Sequence, residues 1–209
     1  MVSLKPNGFQ ITLPDWWPPT FNESKNFILG MQEVVEDIYM ILYNPPHAKV
    51  LLSLEEISLL KQSVQNLVGI KCAGGDEQWY SQRRELLDDF SVFVPGHTVV
   101  YGKPLGANGS YSNVACLSPN GAVKIWDLIE KDHEKAQELE AKVLNFMKQY
   151  ILPFANKLSN TGLDKLLASV GGWGPVSEKV LWPYDGATAE DVKKIKIHAN
   201  NELEEILNV

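Results

Sequence analysis

Tyr39-Met-Ile-Leu-Tyr43-Asn-Pro-Pro46 and Val68-Gly-Ile-Lys71-Cys-Ala-Gly-Gly-Asp76 are the two stretches on which the reading of this chain turns. Each is a short apolar run that ends in one reactive side chain and then breaks into Pro or Gly, residues that stop a strand. If the runs are successive parallel strands, Tyr43 and Lys71 stand side by side at the strand ends. Working outward, residues 8–13 form a β-like run stopped by Pro14 and by the turn-rich Asp15-Trp-Trp-Pro-Pro-Thr20. Over 21–37, Phe27, Ile28, Met31, Val34 and Val35 recur at helical spacing. Ser53 with Glu56 three residues on is a capping box, opening a helix to about residue 63. Residues 77–89 read as helix, 91–95 as strand, 99–105 as a short helix, 109–112 as a last strand and 120–130 as helix.

Strand and helix thus alternate at about 23 to 28 residues per unit, the pattern of repeated βα units with a parallel sheet. Five strands are visible, and the reactive residues sit at strand ends, which in a β/α barrel is the catalytic face. A doubly wound open sheet shares the alternation but carries a Gly-rich phosphate loop after its first strand; Gly74-Gly75-Asp76 is too short for one. After residue 131 the alternation stops. Residues 132–157 form a charged amphipathic stretch that Pro153 kinks or ends. Helices follow at 161–170 and 189–209, separated by the Gly171-Gly-Trp-Gly-Pro175 break. The expected organisation is a partial β/α barrel over 1–131 and a helical C-terminal extension over 132–209.

Composition narrows the function classes. The chain has 209 residues, 44% hydrophobic and 22% charged, ordinary for a globular protein. A net charge of −7 and the lack of any Lys/Arg stripe argue against nucleic acid. No stretch approaches the ~18 apolar residues of a membrane span. The start, Met1-Val-Ser-Leu-Lys-Pro-Asn7, lacks a charged-then-apolar leader. Cys72 and Cys116 lie far apart and outside any CxxC pattern, as reduced thiols do, so the expected location is cytoplasmic.

Lys71 carries the chemistry. A neutral lysine amine attacks a ketone to give an iminium, an electron sink for making or breaking the bond at the next carbon. Val68 and Ile70 make its strand apolar, which favours the uncharged amine. Tyr43 could shuttle the protons of carbinolamine formation and dehydration. His47 and His97 both follow strand ends and read as pocket-lining or acid/base groups, since no third residue completes a metal site. His133 and His198 lie on charged helices and read as solvent-facing. Cys72 points away from Lys71 by strand alternation and reads as a packed thiol. Gly106-Ala-Asn-Gly-Ser-Tyr-Ser-Asn113 could in isolation cradle a phosphate.

The ordered set Leu42-Tyr-Asn-Pro-Pro46, Val68-Gly-Ile-Lys71, Pro95-Gly96, Gly106-Ala-Asn-Gly-Ser-Tyr-Ser112 and Pro119 resembles the dihydrodipicolinate synthase / N-acetylneuraminate lyase family. The resemblance covers nearly the whole chain. It implies an α/β fold, a (β/α)8 TIM barrel of the class I aldolase type with extra C-terminal helices. It implies Lys71 as the Schiff-base lysine for pyruvate or a related 2-oxo acid and Tyr43 as the proton-relay tyrosine. Gly96 and Tyr111 would line the pocket, and residues 106–113, rather than cradling a phosphate, would be a strand-eight turn whose backbone approaches the bound 2-oxo acid. No cofactor and no metal are implied, and the family commonly forms dimers or tetramers. Trp16, Trp17, Trp79 and Tyr80 are the candidate subunit contacts.

Departures from the family pattern matter as much. The Gly-Thr-Thr/Ser-Gly-Glu-like loop that binds the 2-oxo acid carboxylate is nowhere in the chain. The sequence looks like barrel strands four to eight plus the tail, with roughly 85 to 95 residues absent. Ala48 stands where the synthase branch has an arginine, with His47 and Lys49 either side; Lys49 offers only a point charge. Asp15-Trp16-Trp17 replaces a tyrosine pair, so Trp16 reads either as a lid on an aromatic-tolerant substrate pocket or as a subunit contact. Three readings follow. The chain is a Schiff-base lyase or aldolase, a sugar-acid dehydratase or aldolase using the same iminium, or a non-catalytic barrel fragment that binds a 2-oxo acid or a partner chain.

Overall fold

The computed structural model describes residues 6–208, so the N-terminal residues 1–5 and the expected helix end at Val209 lie outside the described residues. The chain divides into two compact units, Met1–Val94 with Gly102–Tyr111 and Pro95–Tyr101 with Ser112–Val209. Residue 131, where the barrel part was expected to end, falls inside the second unit.

In the first unit, strands β1 (Gly8–Thr12), β2 (Tyr39–Asn44), β3 (Leu67–Cys72), β4 (Ser91–Pro95) and β5 (Gly109–Tyr111) alternate with helices α1 (Phe21–Val35), α2 (Leu54–Ser63) and α3 (Glu77–Leu86). The sheet order is β1-β2-β3-β4-β5, with β1 to β4 paired in parallel. Sequential order is how barrel staves wind, whereas a doubly wound sheet reverses direction partway. Each helix starts where a side chain accepts from its free backbone N–H groups. Thr20 caps α1 and Ser53 caps α2 through reciprocal boxes with Glu23 and Glu56, and Asp76 caps α3. Helix α1 stops two residues short of the expected end, because Glu36 takes a positive φ of 54° and turns the chain into β2.

One face of the sheet is buried. Leu42, Ile70 and Val92 stand in one register row and are at most 1% exposed. Burying each contributes about 1.5–3 kcal/mol. The opposite face is open at the β1 edge, where Gly8, Gln10 and Thr12 are exposed, and half-covered at Ile41, Tyr43, Lys71 and Phe93. Buried polar groups hold the connections: Asn66 Nδ2 donates to the carbonyls of Glu36 (3.0 Å) and Ile38 (2.8 Å), and the Arg83 guanidinium donates to Phe90 O and to Asn108 Oδ1. Tyr80 corrects an expectation. Rather than facing another subunit it is 2% exposed, its hydroxyl seated where Gly74 and Gly102 lack side chains.

The second unit is helical. After α4 (Val99–Leu105), of which residues 99–101 belong to this unit and the rest to the first, come α5 (Val114–Leu117), α6 (Pro119–Lys131), α7 (His133–Phe146), α8 (Asn160–Gly171), α9 (Ala189–Glu202) and α10 (Glu204–Leu207). The stretch read as one helix over 132–157 is α7 followed by a π turn (Met147–Ile151) and a 3-10 turn (Leu152–Phe154). Pro153 has no N–H and its ring displaces the carbonyl four residues back, so the helix loosens ahead of it. Likewise the expected helix 189–209 breaks at Leu203, which leaves helical geometry and is 1% exposed.

Glu205 of α10 clasps α7. Its carboxylate meets Lys135 and Lys142 at 2.8 Å each, and Lys124 Nζ donates to its carbonyl at 2.8 Å. The hydrogen bonds from Lys135 and then Lys142 bring its pKa from 4.5 down to about 2. A lowered carboxylate pKa stabilises the fold fully above the unfolded value and loses that contribution as pH falls through the folded one. Glu205→Gln is therefore expected to melt lower than the parent near neutral pH, with the gap closing between pH 4.5 and about 2. The group is exposed, so the gap is small. A gap that widened on acidification would contradict the clasp.

Candidate active site

Parallel pairing places Thr12, Tyr43, Lys71 and Phe93 in one register row across β1 to β4, on the open face of the sheet. Alternation puts Asn44 and Cys72 on the other face, each the last residue of its strand. Both Tyr43 and Lys71 are next to last, so both project from the C-terminal strand ends. Lys71 Nζ lies 4.1 Å from the centroid of the Tyr43 ring and 4.9 Å from that of Tyr111. Tyr111 is held in turn by an edge-on contact with Phe93, with centroids 5.5 Å apart. The amine therefore sits against two aromatic faces, with phenol groups contributed by β2 and β5.

A cavity of about 240 Å³ adjoins Tyr43, lined among others by Thr12, Asp15, His47, Ala48 and Lys49. The His47 ring stands edge-on to Tyr43 at 6.3 Å. Lys49 bends back to donate to the carbonyls of Asp15 (2.5 Å) and Trp16 (3.4 Å), so its ammonium is partly committed to the loop after β1. Trp16 itself does not line this cavity. Its indole is 94% exposed, and neighbouring Trp17 is 78% exposed.

Gly96 and His97 belong to the second unit, on a 3-10 turn (Gly96–Thr98) directly after β4. A side chain at Gly96 would run into Ser112, so glycine is what lets that turn and the Ser112 segment touch. His97 Nδ1 pairs with the Asn113 side-chain amide at 2.8–3.0 Å. Glu140 accepts from the Val100 N–H at 3.0 Å, and burial raises its pKa. Thr12, Phe93 and Asn113 are the residues that sequence reasoning missed. The first two were legible in principle as strand-end residues level with Tyr43 and Lys71; nothing local marked Asn113.

Cys72 faces the helices, and burial pushes its thiol pKa up. Among the described residues no three His, Cys, Asp or Glu side chains converge as metal ligands would, and no helix is long and apolar enough to cross a membrane.

The sequence pattern of the Dihydrodipicolinate synthetase family matches residues 7–197. The chain belongs to the dihydrodipicolinate synthetase family. Similar solved structures carry the fold of that family. An N-acetylneuraminate lyase from Fusobacterium nucleatum superposes with a TM-score of 0.78 at 17% identity, over 96% of this chain and 67% of that one. A dihydrodipicolinate synthase from Bacteroides thetaiotaomicron gives 0.72 at 19% identity, over 92% and 65%. A prophage protein of the dihydrodipicolinic acid synthase family from E. coli K12, solved in complex with pyruvate, gives 0.76 at 19%, over 94% and 66%. This dihydrodipicolinate synthetase family chain thus spans about two thirds of the length of each. Its mixed α/β fold, with a parallel sheet wound in sequential order, is that of their TIM barrels in part. No curated protein matches the chain.

Proposed function

We propose that the chain carries the Schiff-base site of a class I lyase or aldolase acting on pyruvate or a related 2-oxo acid. The observation that carries this is the Lys71 amine resting on Tyr43 and Tyr111 at the strand ends. The deprotonated Lys71 amine adds to the C2 carbonyl carbon, its nitrogen sheds a proton and the carbonyl oxygen takes one up, giving a neutral carbinolamine. A second proton on that oxygen lets it leave as water, and the nitrogen lone pair closes the iminium. Loss of a C3 proton then makes an enamine, the nucleophile for an aldehyde; the reverse order cleaves the same bond. Tyr43 carries the protons to and from the departing oxygen. Gly96 and His97 remain proposed substrate-side residues, His97 with its orientation set by Asn113. The cavity beside Tyr43 is where the second substrate's chain would lie, against His47 and Thr12. Free Cys72 and Cys116 fit a reducing compartment such as the cytoplasm, and exposed Trp16 and Trp17 fit a homo-oligomer contact.

Incubation with pyruvate and borohydride, followed by intact mass and peptide mapping, tests this reading. One reduced adduct on Lys71 supports it; none, from a folded chain, rejects it for this polypeptide. Tyr43→Phe keeps the ring face under Lys71 and removes only the hydroxyl. It is expected to slow adduct formation about 10²–10⁴-fold without changing the fold. An unchanged rate would remove Tyr43 from the proton path.

The second reading, a non-catalytic piece that binds a 2-oxo acid or a partner chain, draws on the exposed β1 edge and the open sheet face. Parallel sheets are ordinarily covered on both faces. A folded chain that traps nothing favours this reading.

A further inference from the structure

Behind β2 and β3, on the side away from Lys71, lies a second cleft of about 400 Å³, the size of a small-molecule site. Its floor is the helix-facing side of the strand ends, Asn44, Ile70 and Cys72. Leu52, Leu54 and Ile57 form one wall, and Trp79 of α3 the other. The floor is rigid, because the Asn44 amide donates to Leu52 O (2.9 Å) and accepts from Leu52 N–H (3.1 Å). On the rim, Leu51 is left 58% exposed.

Two ionisable side chains line this cleft, Cys72 and Glu55. The thiol is kept neutral by burial. Glu55 is hydrogen-bonded to its own backbone N–H, to Ser53 and to Gln82, and none of these neutralises its charge. Its carboxylate meets Gln82 Nε2 at 2.5 Å, joining α2 to α3 across the mouth. The cleft therefore combines an apolar floor, an aromatic wall and one negative charge at the entrance. That combination selects a cation with an apolar body: the carboxylate takes the ammonium, and the apolar floor with the tryptophan takes the body.

We propose that this cleft binds a small primary ammonium ion carrying an apolar body about the size of one aromatic ring, with the ammonium on Glu55 and the body against Ile70, Leu52 and Trp79. It opens on the opposite side of β3 from Lys71, so its occupant and a 2-oxo acid do not compete for space.

A titration of the full chain with 2-phenylethylammonium, followed by Leu and Ile methyl and Trp indole NMR signals, tests the assignment. Saturable shifts are expected at Leu52, Ile57, Ile70 and Trp79. The uncharged 2-phenylethanol should bind roughly fivefold more weakly, and 3-phenylpropanoate more weakly still. Glu55→Gln should bring the ammonium down to the affinity of the alcohol while leaving the alcohol unchanged; Glu55 is exposed, and an otherwise unaltered spectrum confirms the fold. Shifts confined to other residues, no saturation, or equal affinity for ammonium and alcohol in the parent chain would each overturn the proposal.

Discussion

Lys71→Ala is expected to leave a folded chain that traps no pyruvate on borohydride reduction, against one adduct per chain in the parent. The loss is expected to be complete rather than partial because the proposed covalent bond would be made to that nitrogen. Lys49 is an amine lining the adjoining cavity, but the carbonyls of Asp15 and Trp16 hold its ammonium. The fold should tolerate the change. Lys71 is half-buried on the open face, and its loss removes two ring contacts, a cost on the order of 1 kcal/mol. Near-parental melting with no adduct is thus the expected pair of results. An adduct that persists in Lys71→Ala, or that maps to Lys49 in the parent, would end the assignment of Lys71.

Gly171→Ala is expected to be the most destabilising single methyl added to the second unit. Gly171 closes α8 with its Cα against the last carbonyl of α5, and a Cβ there would run into Leu117 O, with Leu117 C only 2.7 Å away. The obstacle is backbone on both sides, so no side-chain rotation relieves it; one helix must move off the other. Overpacking of this kind costs about 3 kcal/mol, which in a chain of this size lowers Tm by about 6 to 12 °C. Gly174→Ala is the matched control. A Cβ there meets nothing within 4 Å, and its melting temperature should stay close to the parent's. Equal melting temperatures for the two variants would mean that α5 and α8 do not pack as described.

The pair Tyr43 and Lys71 was legible because each ends an apolar run in front of Pro or Gly. Two such strand ends in successive parallel βα units lie at the same edge of the sheet. The caps at Ser53 and the breaks after β2 and β3 were legible for the same reason, since capping and turn chemistry act over three or four residues. Boundaries slipped where distant packing intervened. Leu203 leaves the helix to be buried, and Pro153 unwinds a turn ahead of itself rather than at its own position. Tyr80 looked like an outward aromatic because nothing near it in sequence announces the two glycines, Gly74 and Gly102, that make room for it.

By itself, then, the sequence determined the alternation of strands and helices, the reactive residues at strand ends and the family. Only the tertiary structure decided the strand order, which separates a barrel-type sheet from a doubly wound one. It alone set the register that aligns Thr12 and Phe93 with the Tyr43–Lys71 pair, and the placement of Tyr111 over the Lys71 amine. The Asn113–His97 pair and the approach of Gly171 to Leu117 are of the same kind. The physical reason is range: propensity, periodicity and capping are properties of adjacent residues, whereas register and close approach depend on how segments far apart in the chain share one buried surface.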